Sequence, residues 1–532
     1  MHTDIKLRFG HWRRPAFGVS GASGPLACMP PLGNGAGKPR RRRPSPGGVA
    51  LTLCLLAWGT GWLALVTAAG TASADPSLRG VLAVRGDSTV AAENTAQRFV
   101  PASVLKLVVT AAALHYLGPE YRCVSEVAGT GPLAKGTLTG DLVLLGGGDP
   151  TWSARYQAKG ARDPLQRLVR QLKRKGLRRV TGDLVVDASR FPGPAQPLSR
   201  PQAERALAYG APTSAVALDE NTFALQIGPG KRAGQPGWLS VKNKFLRLEN
   251  RILTVGREHR GRGTVGFYPG LDGRTLLVHG EYPIGEPSYR VRASLPDPHL
   301  YVGSVLRDLL GTEGIRLDGE VKVSAVPVKT HGEAALAQFQ SAPLKRWLSP
   351  ILSDSQNWYA EMLLRILALQ ADGLGRLDRG LELESRFLER EAEIPPHAFF
   401  LDDASGLSPY NLLTPEAVVK LLGYVLQQPW RDAFLDAMAQ TGKGTLRRWP
   451  KGLDLRAKTG TIQHTLSLAG YLRPDSEEPV IFAVFLTHWS GRRSAARAEV
   501  RRLVKHWQEC TETPKVACAS RVTRSAPKAA SG

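Results

Sequence analysis

Cysteine is scarce in this chain, at five residues in 532. There is no Cys-x-x-Cys pair and no Cys/His cluster, so the spacings that hold zinc or an iron–sulfur cluster are missing. No Gly-x-Ser-x-Gly elbow occurs, and no histidine stands in a context that would make it the partner of a catalytic serine. The sequence signal for a Ser-His-Asp hydrolase is therefore absent. Acidic residues are outnumbered, 46 Asp and Glu against 70 Lys and Arg, for a formal charge of +24. What is present is ordinary for a globular protein, with 42% hydrophobic and 22% charged residues, and that excludes wholesale disorder. The length exceeds one ordinary core, so two or three domains are expected. Nothing in the sequence asks for a metal or a cofactor.

The basic excess is uneven, with nine Lys or Arg against one Asp in residues 1–74. Such a balance suits residence beside an anionic polymer, whether wall glycan, membrane face or nucleic acid. The N-terminus chooses among these. Arg40 to Arg43 form a basic block, residues 49–69 are mainly apolar, and Ala72-Ser73-Ala74 follows as a small-x-small cleavage pattern. The chain reads as exported, to a periplasmic or other extracytoplasmic space, which disfavours a nucleic-acid partner. The apolar stretch is also long enough to span a bilayer, so retention as a membrane anchor stays open beside cleavage as a signal peptide. Beyond it only Cys123, Cys510 and Cys518 remain, and Cys510 with Cys518 could close a small loop in an oxidising compartment.

Periodicity gives the outline of the rest. Residues 80–85 and 89–92 read as strands, and residues 101–116 as a helix opened by Pro101 and stopped at Gly118. From 119 to about 330 the chain becomes short β-like runs separated by Gly, with one amphipathic helix around Leu165, Leu168, Val169 and Leu172. Thr139-Gly140-Asp141-Leu142-Val143 and Thr181-Gly182-Asp183-Leu184-Val185 read as similar turn-to-strand passages. Residues 358–370 and 415–427 read as helices. Three strands follow at 455–462, 467–472 and 480–487, and then a closing helix with Val500, Leu503, Val504 and Trp507 on one face. Strands at both ends with helices between them indicate one α/β catalytic domain, an antiparallel sheet flanked by helices, with a large module inserted after its first helix. The expected divisions are an extension with signal or anchor at 1–74, a first catalytic segment at 75–118 and a β-rich insertion at 119–330. A second catalytic segment at 331–510 and a disordered tail at 511–532 complete the chain.

Ser103-Val104-Leu105-Lys106 falls in the first turn of the helix at Pro101. Residues three apart share a helix face, so hydroxyl and amine can meet. Serine needs a base to become a nucleophile, and lysine can be that base if apolar surroundings or a second cation, for which Lys458 is a candidate, lower its pKa. Ser-x-x-Lys alone is weak: Ser525-Ala526-Pro527-Lys528 in the tail also fits. The first copy gains weight from Ser355-Gln356-Asn357 ahead of a helix and Lys458-Thr459-Gly460 on a strand, in the order SxxK, SxN, KTG. In the plainer reading Ser355 and Asn357 merely cap the helix that follows.

The chain resembles the class C low-molecular-mass penicillin-binding proteins, the D-Ala-D-Ala carboxypeptidase/endopeptidase family. The likeness runs from about Gly80 to Trp507, and includes the segment Phe99 to Lys106, Gly146-Gly147-Gly148-Asp149-Pro150-Thr151, Ser214 to Asn221, Asp403-Ala404-Ser405-Gly406-Leu407-Ser408 and Gly444-Thr445-Leu446-Arg447. It implies a penicillin-binding/β-lactamase-like transpeptidase domain, and the long insertion between SxxK and SxN favours peptidase over β-lactamase. It further implies that Ser103 attacks the D-Ala-D-Ala carbonyl with Lys106 as base, and that Ser355 relays a proton to the leaving amine. Asn357 would hold the acyl side-chain amide, Lys458 and Thr459 the terminal carboxylate, and Gly460 would lie beside them on the binding strand. The N–H groups of Ser103 and Thr461 would form the oxyanion hole. Gln463 matches a residue of the stem-peptide pocket, to which Glu204 and Tyr209 could add. Two departures stand out: Gln356 replaces a frequent Asp, and Pro409 follows Ser408 where the family often has Arg. The implied partners are peptidoglycan stem peptides, with β-lactams as inhibitors. A penicillin-recognising esterase or β-lactamase, and a non-catalytic peptidoglycan-binding scaffold, remain as alternatives.

Overall fold

The computed structural model describes residues 78–511 except 202–203, 243–244, 260–263, 333 and 490. The basic block, the apolar stretch at 49–69, the cleavage pattern, Cys518, the Ser525 to Lys528 copy and the tail lie outside the described residues. Among the described residues no helix is long and apolar enough to cross a membrane.

The catalytic domain is built on one antiparallel sheet. Strands β1 (Leu78–Arg85) and β2 (Ser88–Glu93) form a hairpin, and after it comes the helix α1 (Lys106–Leu117). Past the insertion come α2 (Asn357–Asp372), α3 (Leu377–Arg390) and α4 (Pro415–Leu426). The short β3 (Ala439–Gln440) precedes the meander β4 (Leu455–Ile462), β5 (Thr465–Leu472) and β6 (Val480–Thr487), and α5 (Arg493–Thr511) closes the domain. The sheet order is β2-β1-β6-β5-β4-β3. The two catalytic segments, far apart in sequence, thus meet at the pairing of β1 with β6.

The strand sequences explain the two layers. All eight residues of β5 are buried. Successive side chains point to opposite faces, so Ala469 and Tyr471 join Ala483 and Phe485 on the side of α1, α2 and α4. Leu466 and Leu468 join Phe482, Val484 and Leu486 on the other side, under Val500, Val504 and Trp507 of α5.

The insertion leaves and returns on neighbouring strands. Val124–Gly129 pairs antiparallel with Ala337–Gln340 at the edge of a five-stranded sheet. That sheet therefore runs on past residue 330, where β-like composition fades. Helices Asp163–Arg174 and Pro298–Thr312 pack on it. The two Thr-Gly-Asp-Leu-Val phrases lie side by side, Leu142–Leu145 parallel to Leu184–Asp187 in register. A Cβ on Gly182 would fall 2.6 Å from the Gly140 carbonyl carbon, so the close approach of the two turns requires glycine there. A small four-stranded sheet and two three-stranded sheets, the latter centred on Thr222–Gly228 and Thr275–Pro283, complete the module. Cys123 is buried and free, while Cys510 is disulfide-bonded.

Trp507 is 1% exposed, with its ring centroid 5.6 Å from that of Phe482. Trp507→Ala should cost about 3–5 kcal/mol of stability, read by denaturant unfolding. A loss below about 1 kcal/mol would show that α5 does not close this core.

Candidate active site

Ser103 does not sit in an α-helical turn, as its spacing alone suggests. It lies in a 3-10 turn, Ala102–Leu105, and the α-helix starts at Lys106. The difference helps the pair meet, because side chains three apart eclipse in a 3-10 turn. Lys106 Nζ is 2.8 Å from Ser103 Oγ. Ala102, just before the serine, has φ 48°, a left-handed conformation that costs a non-glycine residue energy and must be held by its surroundings.

Two glycines do the holding. A Cβ on Gly406 would fall 1.8 Å from Ala102 O, and one on Gly460 would fall 2.1 Å from Ser467 Oγ, 2.7 Å from Pro101 O and 3.0 Å from Ser103 N. The serine's backbone is thus gripped between a loop and a strand, each stripped of its side chain at the point of contact. Ser467 Oγ of β5 donates to Pro101 O at 2.6 Å and fixes the turn from beneath.

Lys106 is wholly buried. Its amine donates to Asn357 Oδ1 at 2.8 Å and to the carbonyl of Ser405. These are neutral oxygens, so no carboxylate in contact keeps the amine charged. Burial lowers its pKa to about 7, against an upward pull from Asp403 and Glu361 and with a further downward push from Arg200. With two hydrogens given to carbonyl oxygens, a neutral amine presents its lone pair to the Ser103 hydroxyl. Lys458, expected as the cation that depresses Lys106, is itself driven well below the lysine range, first by burial and then by Lys106. The added depression on Lys106 comes from Arg200, which the spacing of motifs does not single out.

The helix-capping reading of the SxN motif fails. The cap position of α2 is Gln356, with no side-chain cap bond. Ser355 Oγ instead accepts from Lys458 Nζ at 2.7 Å, and Asn357 Nδ2 donates to Tyr209 O at 3.2 Å. Ser355 has φ 63°, a second left-handed non-glycine residue of the motifs.

Lys458, Thr459, Gly460 and Thr461 lie on β4, and Lys458 Nζ also donates to Thr459 O at 2.7 Å. Lys458 is buried, while Thr459 and Thr461 are partly exposed. On its β3 side β4 pairs only at Arg456 and Ala457. Among the described residues, the edge from Lys458 onward faces no strand there, which is where an extended peptide can add. Gln463 is exposed in the turn after β4. Glu204 and Tyr209 interact electrostatically, each pushed upward chiefly by burial. The structure brings Ser103, Lys106, Ser355, Asn357 and Lys458 into two hydrogen-bonded groups and leaves Gln463 outside both.

Glu361 and Arg200 belong to none of the quoted motifs, and the phrase that contains Asp403 and Ser405 does not reveal their roles. Ser405 contributes a backbone carbonyl, which no side-chain pattern advertises, and Asp403 organises the loop that carries it. Glu361 and Arg200 are buried beneath. Among the described residues no group of His, Cys, Asp or Glu could hold a metal ion.

Residues 69–508 match the family described as D-Ala-D-Ala carboxypeptidase 3 (S13). The chain is 27% identical over 441 residues to a D-alanyl-D-alanine carboxypeptidase of an Actinomadura species, covering 78% of this chain and 80% of that one. It is 24% identical over 429 residues to a D-alanyl-D-alanine carboxypeptidase of Haemophilus influenzae, covering 76% and 84%. The structure is similar to the crystal structure of penicillin-binding protein 4 from Haemophilus influenzae, with a TM-score of 0.73 at 21% identity over 82% of this chain and 97% of that one. At that identity the likeness speaks for the fold: a penicillin-binding, β-lactamase-like α/β domain.

Two measurements probe this geometry. NMR of the lysine side chains should give Lys106 a titration midpoint near pH 7, and a midpoint in the ordinary lysine range would refute the buried-amine account. Gly460→Ala should cost about 1–3 kcal/mol in stability through the contacts its methyl group meets. An unchanged unfolding midpoint would mean that the strand does not press on the serine turn.

Proposed function

Because the chain belongs to the D-Ala-D-Ala carboxypeptidase 3 (S13) family, we propose that its serine carboxypeptidase and endopeptidase activity on peptidoglycan stem peptides and cross-links runs through Ser103 and Lys106. The observation that carries this reading is the surroundings of the Lys106 amine, two carbonyl oxygens and the Ser103 hydroxyl. Lys106 takes the Ser103 proton as Oγ attacks the carbonyl of the penultimate D-Ala, and the Ser103–acyl bond forms as the amide bond to the terminal D-Ala breaks. The leaving amine needs a proton. Ser355, hydrogen-bonded to Lys458, relays to that amine the proton that Lys106 took from Ser103, which returns Lys106 to its neutral form. Water then hydrolyses the ester, with the same groups acting in reverse.

The substrate lies as an added strand against the open edge of β4. The N–H groups of Ser103 and Thr461 stabilise the oxyanion, donors fixed in place before charge develops. Asn357 holds the acyl-side amide once its Nδ2 leaves Tyr209 O. The terminal carboxylate meets Thr459 directly, because Lys458 is buried and reaches it only through its hydrogen bond to Ser355. Gln463, with Glu204 and Tyr209, borders the stem-peptide side chain. β-Lactams acylate the same serine and inhibit. A β-lactamase would want a glutamate free to activate water, but the glutamate that acts on Lys106, Glu361, is 1% exposed and tied to Arg200 and Ser405 N. Residues 1–74 fit an exported wall enzyme, with residues 49–69 serving as signal peptide or as membrane tether.

The decisive assay is a fluorescent penicillin incubated with the protein, together with D-Ala release from a pentapeptide. A covalent adduct and D-Ala release are expected, with both lost in Ser103→Ala. Adduct formation should fall as pH drops through about 7, where Lys106 becomes protonated and can no longer accept the serine proton. A wild-type protein showing neither adduct nor D-Ala release would promote the scaffold reading instead.

A further inference from the structure

The Ser405 carbonyl that receives a hydrogen from Lys106 belongs to a loop fixed by charged groups outside the catalytic motifs. Asp403, 1% exposed, accepts from Ser405 Oγ at 2.9 Å, from the N–H groups of Gly406, Leu407 and Ser408, and from Asn411 Nδ2. Its neighbour below is Glu361, one turn after Asn357 on α2. Glu361 Oε1 accepts from Ser405 N at 3.2 Å and lies 3.3 Å from Arg200 Nη2. Arg200 belongs to the insertion and is 4% exposed. Ser405 is thus held at its N–H by Glu361 and at its hydroxyl by Asp403, with its carbonyl turned to the base. A buried ion pair is costly to desolvate and weak as evidence for stability, so its position beside the catalytic base calls for another account.

We propose that Glu361, tethered by Arg200 from the inserted module, is a positioning residue that holds Ser405 against the Lys106 amine and so makes the base depend on the insertion. Ionic groups surround Glu361 on every side. Arg200 faces it from the insertion, Asp403 from the loop, Lys106 from α1, Glu384 from α3 and Arg365 from one turn along its own helix. Burial lifts the Glu361 carboxyl to about 7, with Asp403 raising it and Arg200 lowering it. Its charge in turn pulls Lys106 upward against burial. Removing that charge while keeping the oxygen should therefore leave the loop in place and move the base.

This inference rests on Lys106 acting as base, and the test separates the two. The second-order rate of acylation by a fluorescent penicillin is measured against pH on the full-length chain and its variants. Glu361→Gln retains an acceptor for Ser405 N. It should shift the acid limb toward lower pH by about half a unit or more, the charge being only partial near pH 7. Arg200→Met should lower the plateau rate at least about tenfold through a misplaced base, with little change in the dissociation constant of the non-covalent complex. Arg200→Lys should recover most of that rate. A Glu361→Gln profile superimposable on wild type overturns the proposal whatever the Arg200 variants do, and full acylation by a folded Arg200→Met overturns the role of the insertion. Absence of any adduct on the wild type would instead overturn the functional reading itself.

Discussion

A lysine amine buried against neutral oxygens is the constraint around which the rest of this protein is arranged. Water would keep Lys106 protonated, and a carboxylate in contact would do the same more strongly. The structure avoids both. The amine touches Ser103 Oγ, Asn357 Oδ1 and Ser405 O, while the carboxylates of Asp403 and Glu361 act on it without an ion pair. Burial drives the amine's pKa down and those two carboxylates pull against it, leaving it at about 7. A base is most effective with its pKa near the working pH. That balance needs charges near the amine but not touching it, which only a densely packed interior can supply.

Such an interior explains why the insertion is more than an appendage. Its residues close over one face of α2. Arg200 meets Glu361, Tyr209 O accepts from Asn357, Pro212 O accepts from Trp358 Nε1, and Pro192 O accepts from Arg365. Asn357, Glu361 and Arg365 are four residues apart and form a single stripe. The insertion also shares the core, since Phe191, Ala211, Ala215 and Ala217 pack in the same cluster as α1 and α2. Its strands leave and return side by side at Val124–Gly129 and Ala337–Gln340, so the module can fold back on α2 without pulling the catalytic halves apart.

Much of this was legible in the sequence because it is local or periodic. The strand-like runs of β4, β5 and β6, the apolar face of α5 and the order SxxK, SxN, KTG all follow from neighbours along the chain. What stayed hidden depends on distant contact. The 3-10 turn at Ser103 is imposed by Gly406 and Gly460, some hundreds of residues later. Ser355 and Asn357 look like helix caps until Lys458 and Lys106 are seen to claim them. Arg200 is one arginine among many in a basic chain, and Ser405 acts through a backbone atom that every residue possesses.

Gly406 and Gly460 tie these elements together. Gly406 presses on the backbone at Ala102 and Ser103 and Gly460 on that at Pro101 and Ser103, and each belongs to an element with a second duty. Gly406 follows Ser405, whose carbonyl holds the base; Gly460 follows Thr459, on the strand edge where substrate adds. A displacement of the serine turn therefore cannot occur without moving either the base's acceptor or the substrate strand. Nucleophile, base and binding edge are geometrically locked, and the strain at Ala102 persists because its packed surroundings leave it no room to relax. The loop and the strand reach that lock from different regions of the fold, Asp403 and Glu361 fixing one and Ser467 the other. Precision at the serine is thus a property of the whole interior rather than of the three motifs by themselves.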